Sequence, residues 1–198
     1  NVHVVHHGAH HLNRTARHCI ASPNCGLLDD YANVAEGFLA LSQVTGNQRW
    51  FDLASNLLDI ATKNFADGSN GFFYTDAAAP GLVQRPKNIH DNAEPSGWFA
   101  LAKVLITHSA LTGGAEYRHL AEAALMPVSE MIGTSPMGVG WGLVAAQSLL
   151  CGPIQVAIIG SDMDEQREQF VSVAWQSSKP GTVIVFGRPP TWSRPRTS

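Results

Sequence analysis

The chain has 198 residues, of which 44% are hydrophobic and 15% charged, enough to bury one sizeable core and too apolar for global disorder. Lys and Arg number 13 against 16 Asp and Glu, and the formal charge of −3 offers no basic footprint for nucleic acid. No apolar run approaches the roughly 20 residues that a membrane-spanning helix needs, so neither nucleic acid nor membrane is an expected partner.

Residues 1–28 form a His-rich segment holding six of the nine histidines: His3, His6, His7, His10, His11 and His18. On a helix this spacing can chelate a divalent ion, yet no carboxylate stands nearby to orient the rings, and no metal or other cofactor is assigned. Cys19, Cys25 and Cys151 make an odd count that fits neither a disulfide framework nor a C-x-x-C motif, which points to the reducing cytoplasm. Asn1 and its neighbours do not read as a secretion signal, and the chain is expected to start inside a longer protein.

From Asp29 the residues Ala32, Val34, Ala35, Phe38, Leu39, Leu41 and Val44 recur at helical steps until Thr45-Gly46, where glycine can take the left-handed conformation that stops a helix. A second helix from about Gln48 to Phe65 carries Trp50, Phe51, Leu53, Ala54, Leu57 and Leu58, and so short a linker makes the pair antiparallel. The stretch from Asp67 to Asn92 breaks the pattern with Gly68, Gly71, Pro80, Gly81 and Pro86. Within it Phe72–Thr75 and Leu82-Val83 have strand character, and the whole reads as a long hairpin-like loop. Helicity resumes at Pro95-Ser96-Gly97 and runs to Thr112-Gly113, with a partner helix predicted over Tyr117–Ile132.

The two hairpins superpose: Gly46 on Gly113, Trp50 on Tyr117, Leu53 on Leu120 and Ala54 on Ala121, each displaced by 67 residues. The equivalence makes core anchors of Trp50 and Tyr117. A third unit opens at Pro136 and stops at Cys151-Gly152-Pro153. Such an array suits a tetratricopeptide-like solenoid or an α/α toroid; the aromatic, glycine-rich interruption cannot be a repeat helix and favours the toroid, whose long loops ring a central cavity.

After Pro153 the period becomes that of a strand over Ile154–Gly160, then a helix over Asp164–Gln176 and a strand over Thr182–Phe186, one β-α-β unit whose near-continuous apolar strands imply burial. Gly160-Ser161-Asp162 suits a helix N-cap better than an anion site, because the dinucleotide-binding glycine spacing is absent. The predicted fold is therefore mainly α: a partial α/α toroid of antiparallel helical hairpins over 29–152, a small C-terminal β-α-β element over 153–187, and a loosely held tail over 188–198.

At Leu28-Asp29-Asp30-Tyr31-Ala32, Thr45-Gly46-x-x-x-Trp50, Gly71-Phe72-Phe73-Tyr74-Thr75, Arg85-Pro86-Lys87 and His90-Asp91-Asn92-Ala93-x-Pro95-Ser96-Gly97, the sequence resembles the C-terminal part of the thioredoxin-domain-containing six-hairpin family, the group of the spermatogenesis-associated protein and its bacterial relatives. The match covers about residues 12 to 187. The resemblance implies a parent of several hundred residues, in which a thioredoxin-like domain precedes a toroid related to sugar 2-epimerases and six-hairpin glycosidases. It also implies a sugar ligand, and a thioredoxin-like domain of the same parent chain as an intramolecular partner. The thioredoxin cysteines do not lie on this chain.

Asp29, Asp30 and Tyr31 open one inner helix, and His90, Asp91 and Asn92 precede the equivalent helix of the next repeat, because Asp30 maps onto Gly97; repeat geometry sets both clusters on one rim. Asp29, Asp30, His90 and Asp91 supply the acid and base types that glycoside hydrolysis or proton abstraction beside a carbonyl requires. Tyr31, Asn92, Arg85 and Lys87 are candidates to hold hydroxyls or an anionic group, and Tyr74, Trp98 and Trp141 are candidate stacking walls. The same residues suit a structural reading: aspartates at a helix start cap free N–H groups, His90-Asp91-Asn92 can lock a loop, and Arg85 and Lys87 can pair with carboxylates. Glu36 is either an inward-facing acid or a salt-bridge partner. The rival to a sugar-processing toroid is a non-catalytic α/α scaffold that docks the thioredoxin-like domain or a protein partner. A truncated toroid also exposes the flanks of its end hairpins, and self-association of the fragment is expected.

Overall fold

A computed structural model of the chain describes residues 26–79, 82–160 and 165–187. The His-rich segment with Cys19 and Cys25, the Ser161-Asp162 cap and the C-terminal tail lie outside these residues.

The described elements are α1 (Leu28–Thr45), α2 (Gln48–Asn64), α3 (Gly97–Thr112), α4 (Ala115–Ala124), α5 (Met126–Met131), a 3-10 turn over Pro136–Val139, α6 (Gly140–Leu150), β1 (Ile154–Ile159), α7 (Glu165–Gln176) and β2 (Thr182–Gly187). The fold is mainly helical with a small β-α-β appendage. Helix α1 buries Leu28, Tyr31, Ala32, Ala35, Phe38 and Leu39, a stripe at three- and four-residue steps, against α2. Phe38 stacks on Trp50 across that hairpin at 5.6 Å. Gly46 and Gly113 end α1 and α3 with φ of 65° and 73°, a conformation that costs other residues dearly, and their N–H groups return to Ser42 and Ser109 carbonyls.

Helix α3 is apolar around its circumference, and it packs on α1, α4 and α6. The first helix of each hairpin thus shares a layer with its counterpart and with α6, while α2 and α4 flank the layer. Gly97 at the start of α3 lies against the backbone of Leu28 and Asp29, so α1 and α3 begin at the same end of the layer. The sheet is at the opposite end. Ile184 donates its N–H to Gln43 Oε1 at 3.0 Å, and the Gln155 amide reaches the Ala110 carbonyl at 2.5 Å, both near the C-termini of α1 and α3.

Three expectations are corrected. The helix predicted over Tyr117–Ile132 is two helices broken at Leu125, because Pro127 lacks the N–H that a continuous helix would donate. Phe72–Thr75 forms no strand; Phe72 and Thr75 make only isolated antiparallel bridges, to Ala66 and Leu27. The parallel strands are not buried throughout: in β1 only Ile158 is buried and in β2 only Val183 and Ile184, because a two-stranded sheet has one side on the helical layer and α7 buries none of its own residues.

Candidate functional site

The N-terminal end of the helical layer gathers the motif-bearing segments. Asp91 sits at its centre. Its Oδ1 accepts the Ser96 N–H at 2.8 Å, its Oδ2 accepts the Trp141 N–H at 2.7 Å, and its own N–H donates to the Gly138 carbonyl at 2.9 Å. One side chain therefore fixes the starts of α3 and α6, with both oxygens committed to backbone donors. His90 is exposed on the same loop, its ring against Gly138, and Asn92 is exposed beside it.

Several other residues of this end are engaged in holding it together. Asp30 accepts the Leu27 N–H at 2.9 Å, a cap for the first turn of α1. Arg85 donates to the carbonyls of Thr75 and Asn64, at 3.0 and 2.8 Å, and lies 4.2 Å over the Phe73 ring. Lys87 pairs with Asp67 at 2.5 Å. Burial alone would raise the Asp67 carboxyl, but the Lys87 ammonium and the N–H groups of Ser69 and Gly71 hold it well below the usual carboxylate range. Tyr31 is 5% exposed and packs on Phe65, and Trp98 is 6% exposed with its indole N–H donated to the Ala124 carbonyl at 2.7 Å. Both occupy the core, where a broad apolar ring finds more cover than at an open wall.

Asp29 differs. It is half-buried, burial pushes its carboxyl above the ordinary range, and the Tyr74 hydroxyl and Gly97 N–H facing it oppose that rise only in part. Oδ1 is buried without a hydrogen-bond partner among the described residues. Asp30 and Glu94 add negative charge nearby, and Tyr74 is itself driven up by burial and by the Asp29 charge. A carboxyl that retains its proton more readily than usual, beside a phenol, is equipped for proton donation.

Seven residues further along α1, on the same face, Glu36 forms an ion pair with Lys103 of α3. The two are repeat equivalents, 67 residues apart, and of the two expectations for Glu36 the salt bridge is the one observed. The Lys103 ammonium also lies 4.7 Å from the centre of the Trp141 ring, whose buried Nε1 has no acceptor among the described residues. Beside this pair is a cavity of about 280 Å³, walled by α1, α3 and α6 and closed by Pro153 and Pro180–Thr182 at the sheet end.

A second polar cluster escaped sequence reasoning. His108 is held between Phe51 and Tyr117, its Nε2 lies 2.8 Å from Ser55 Oγ, and burial lowers its proton affinity against the opposing pull of Asp59. Tyr117 donates its hydroxyl to Asp59 and is only partly buried, unlike its repeat equivalent Trp50. The repeat correctly aligns the two aromatics but is blind to an acidic residue on the facing helix.

Among the described residues no three His, Cys, Asp or Glu side chains gather as metal ligands, and no helix is long and apolar enough to cross a membrane. The fold is that of a helical-hairpin protein with a β-α-β appendage. Its sequence is similar to spermatogenesis-associated protein 20 from Rattus norvegicus, 32% identical over 120 residues that make up 59% of this chain and 15% of the relative. The Homo sapiens protein of that name is 26% identical over 169 residues, 84% of this chain and 22% of the relative. Similarity to these proteins agrees with the group to which the motifs point. The matched part spans less than a quarter of either relative, and no family model matches the chain.

Proposed function

We propose that the chain is the carbohydrate-binding or sugar-processing part of a six-hairpin-type protein, working at the end of the helical layer where α1, α3 and α6 begin, with Asp29 as the acid. The observation that carries this reading is the division of labour among the carboxylates. Asp30 caps α1 and Asp91 anchors two helices, whereas the Asp29 carboxyl has raised proton affinity and an oxygen without a partner among the described residues. His90 and Asn92, exposed on the adjoining loop, are the remaining polar groups for substrate hydroxyls.

Thermal denaturation of the chain with a panel of aldoses and glycosides tests the reading. Stabilisation by at least one sugar, reduced in Asp29→Asn and His90→Ala, is expected. Absence of stabilisation across the panel would refute it. The rival reading, a scaffold docking a thioredoxin-like domain or a protein partner, draws on the commitment of Asp91, Arg85 and Lys87 to loop and helix anchoring; it predicts no response to any sugar.

A further inference from the structure

We propose that the cavity beside the Glu36–Lys103 pair is a binding site for one neutral sugar ring, distinct from the Asp29 end. The choice of ligand class rests on the carbohydrate reading above, but the location is argued from the cavity itself. Its polar groups have capacity to spare. An ammonium has three N–H donors and Lys103 gives one to Glu36 Oε1, while Glu36 Oε2 accepts no hydrogen bond among the described residues. The Thr107 and Ser148 hydroxyls donate to the carbonyls of Lys103 and Val144 in their own helices, which leaves each oxygen free to accept.

The cavity therefore presents an anionic acceptor, a cationic donor and two hydroxyl acceptors. Leu39, Val104 and Val144 supply apolar wall between them. A hydroxyl group is donor and acceptor at once, so adjacent hydroxyls of a sugar can donate to Glu36 and accept from Lys103 while the C–H face of the ring meets the aliphatic wall. The volume of about 280 Å³ suits a single ring rather than a chain of them. An anionic ligand fits worse, because Glu36 stands against the ammonium that would receive it. Glu36 and Lys103 are each only partly exposed, and their pairing offsets part of the desolvation of both charges.

The test is a nitrogen-15 NMR titration of the chain with glucose, mannose, galactose and gluconate. Saturable shifts with at least one of the three neutral hexoses, centred on the amides of Thr107, Val144, Ser148 and Gly181, are the expected result. In Lys103→Met, binding should weaken by about tenfold or more, the loss of a charge-assisted hydrogen bond, while Asp29→Asn keeps the cavity shifts. The double exchange Glu36→Lys with Lys103→Glu retains an ion pair, guards against a folding defect, and should also weaken binding. Hexose shifts confined to the amides around Asp29 and Asn92 would overturn the cavity site while the carbohydrate reading stood. Shifts with gluconate alone would overturn the neutral class. Silence with all four would overturn the cavity site, and the Asp29 reading would then depend on glycosides alone.

Discussion

Helices α3 and α7 were both legible as helices, yet they end in opposite environments. Of the 16 residues in α3, 12 are buried; of the 12 in α7, none is. Apolar residues line α3 all round, which requires neighbours on every side, and α1, α4 and α6 supply them. Helix α7 leaves Phe170 and Val173 largely exposed against a sheet of two strands. Composition and surroundings act together: seven of the twelve α7 residues are polar or charged, and its few apolar side chains have only two strands to cover them.

The largest expected effect separates these regions. Phe99 in α3 is fully buried, and Phe99→Ala should cost about 3–5 kcal/mol in urea unfolding, the loss of transfer energy plus a cavity. Phe170, 64% exposed in α7, should change stability by no more than about 0.5 kcal/mol when replaced by Ala. Equal losses would mean that α7 belongs to the same cooperative core. Amide hydrogen exchange should show the same order, slowest in α3.

A pair of glycines inside helices sharpens the comparison at finer scale. A Cβ on Gly97 would lie 2.1 Å from Asp29 Oδ1 and 2.7 Å from the Asp29 backbone nitrogen, so Gly97→Ala must push α3 from α1, at about 1–3 kcal/mol. Gly37 in α1 has nothing within 4 Å of that position, and Gly37→Ala should instead stabilise by about 0.5–1 kcal/mol. Thermal melts of both variants decide whether the close approach at Gly97, which also positions Asp29, is tight.

Most of the helical layer was readable from sequence because its rules are local. Gly46 and Gly113 stop their helices whatever surrounds them, and the 67-residue step that aligns them also sets Glu36 beside Lys103. Pro127 is an equally local signal, set within an apolar run, for the break at Leu125. The candidate site was less legible. Asp91 has its two acceptor roles fixed by Ser96 and by Trp141, the latter 50 residues away, and sequence spacing does not reveal which N–H a carboxylate will meet. Asp29 and Asp30 are chemically alike and adjacent; only burial against Tyr74 and Gly97 separates a carboxyl of raised proton affinity from a helix cap.

The carboxylates give the next test. Asp67 accepts the Ser69 and Gly71 N–H groups at 2.7 and 2.9 Å and pairs with Lys87, so Asp67→Ala should cost about 1–3 kcal/mol near neutrality. Its folded proton affinity lies below the unfolded value of 3.8, so this contribution is complete above that pH and fades as the pH falls below it. Urea midpoints of wild type and variant should therefore converge on acidification. A gap that persists through strongly acidic pH would assign the effect to packing.

Asp29 should behave in the opposite sense. Its folded carboxyl binds a proton more readily than in the unfolded chain, where 3.8 is the ordinary value, so near neutrality the folded state bears the cost of an ionised, half-buried group. Wild type should gain stability as the pH falls through the raised folded value, a gain complete once the unfolded value is passed. Asp29→Asn carries no such charge and should be somewhat more stable than wild type near neutrality, with the difference shrinking on acidification. A purely structural aspartate, like Asp67, gives the reverse pattern. A variant less stable than wild type near neutrality would instead assign Asp29 a capping role.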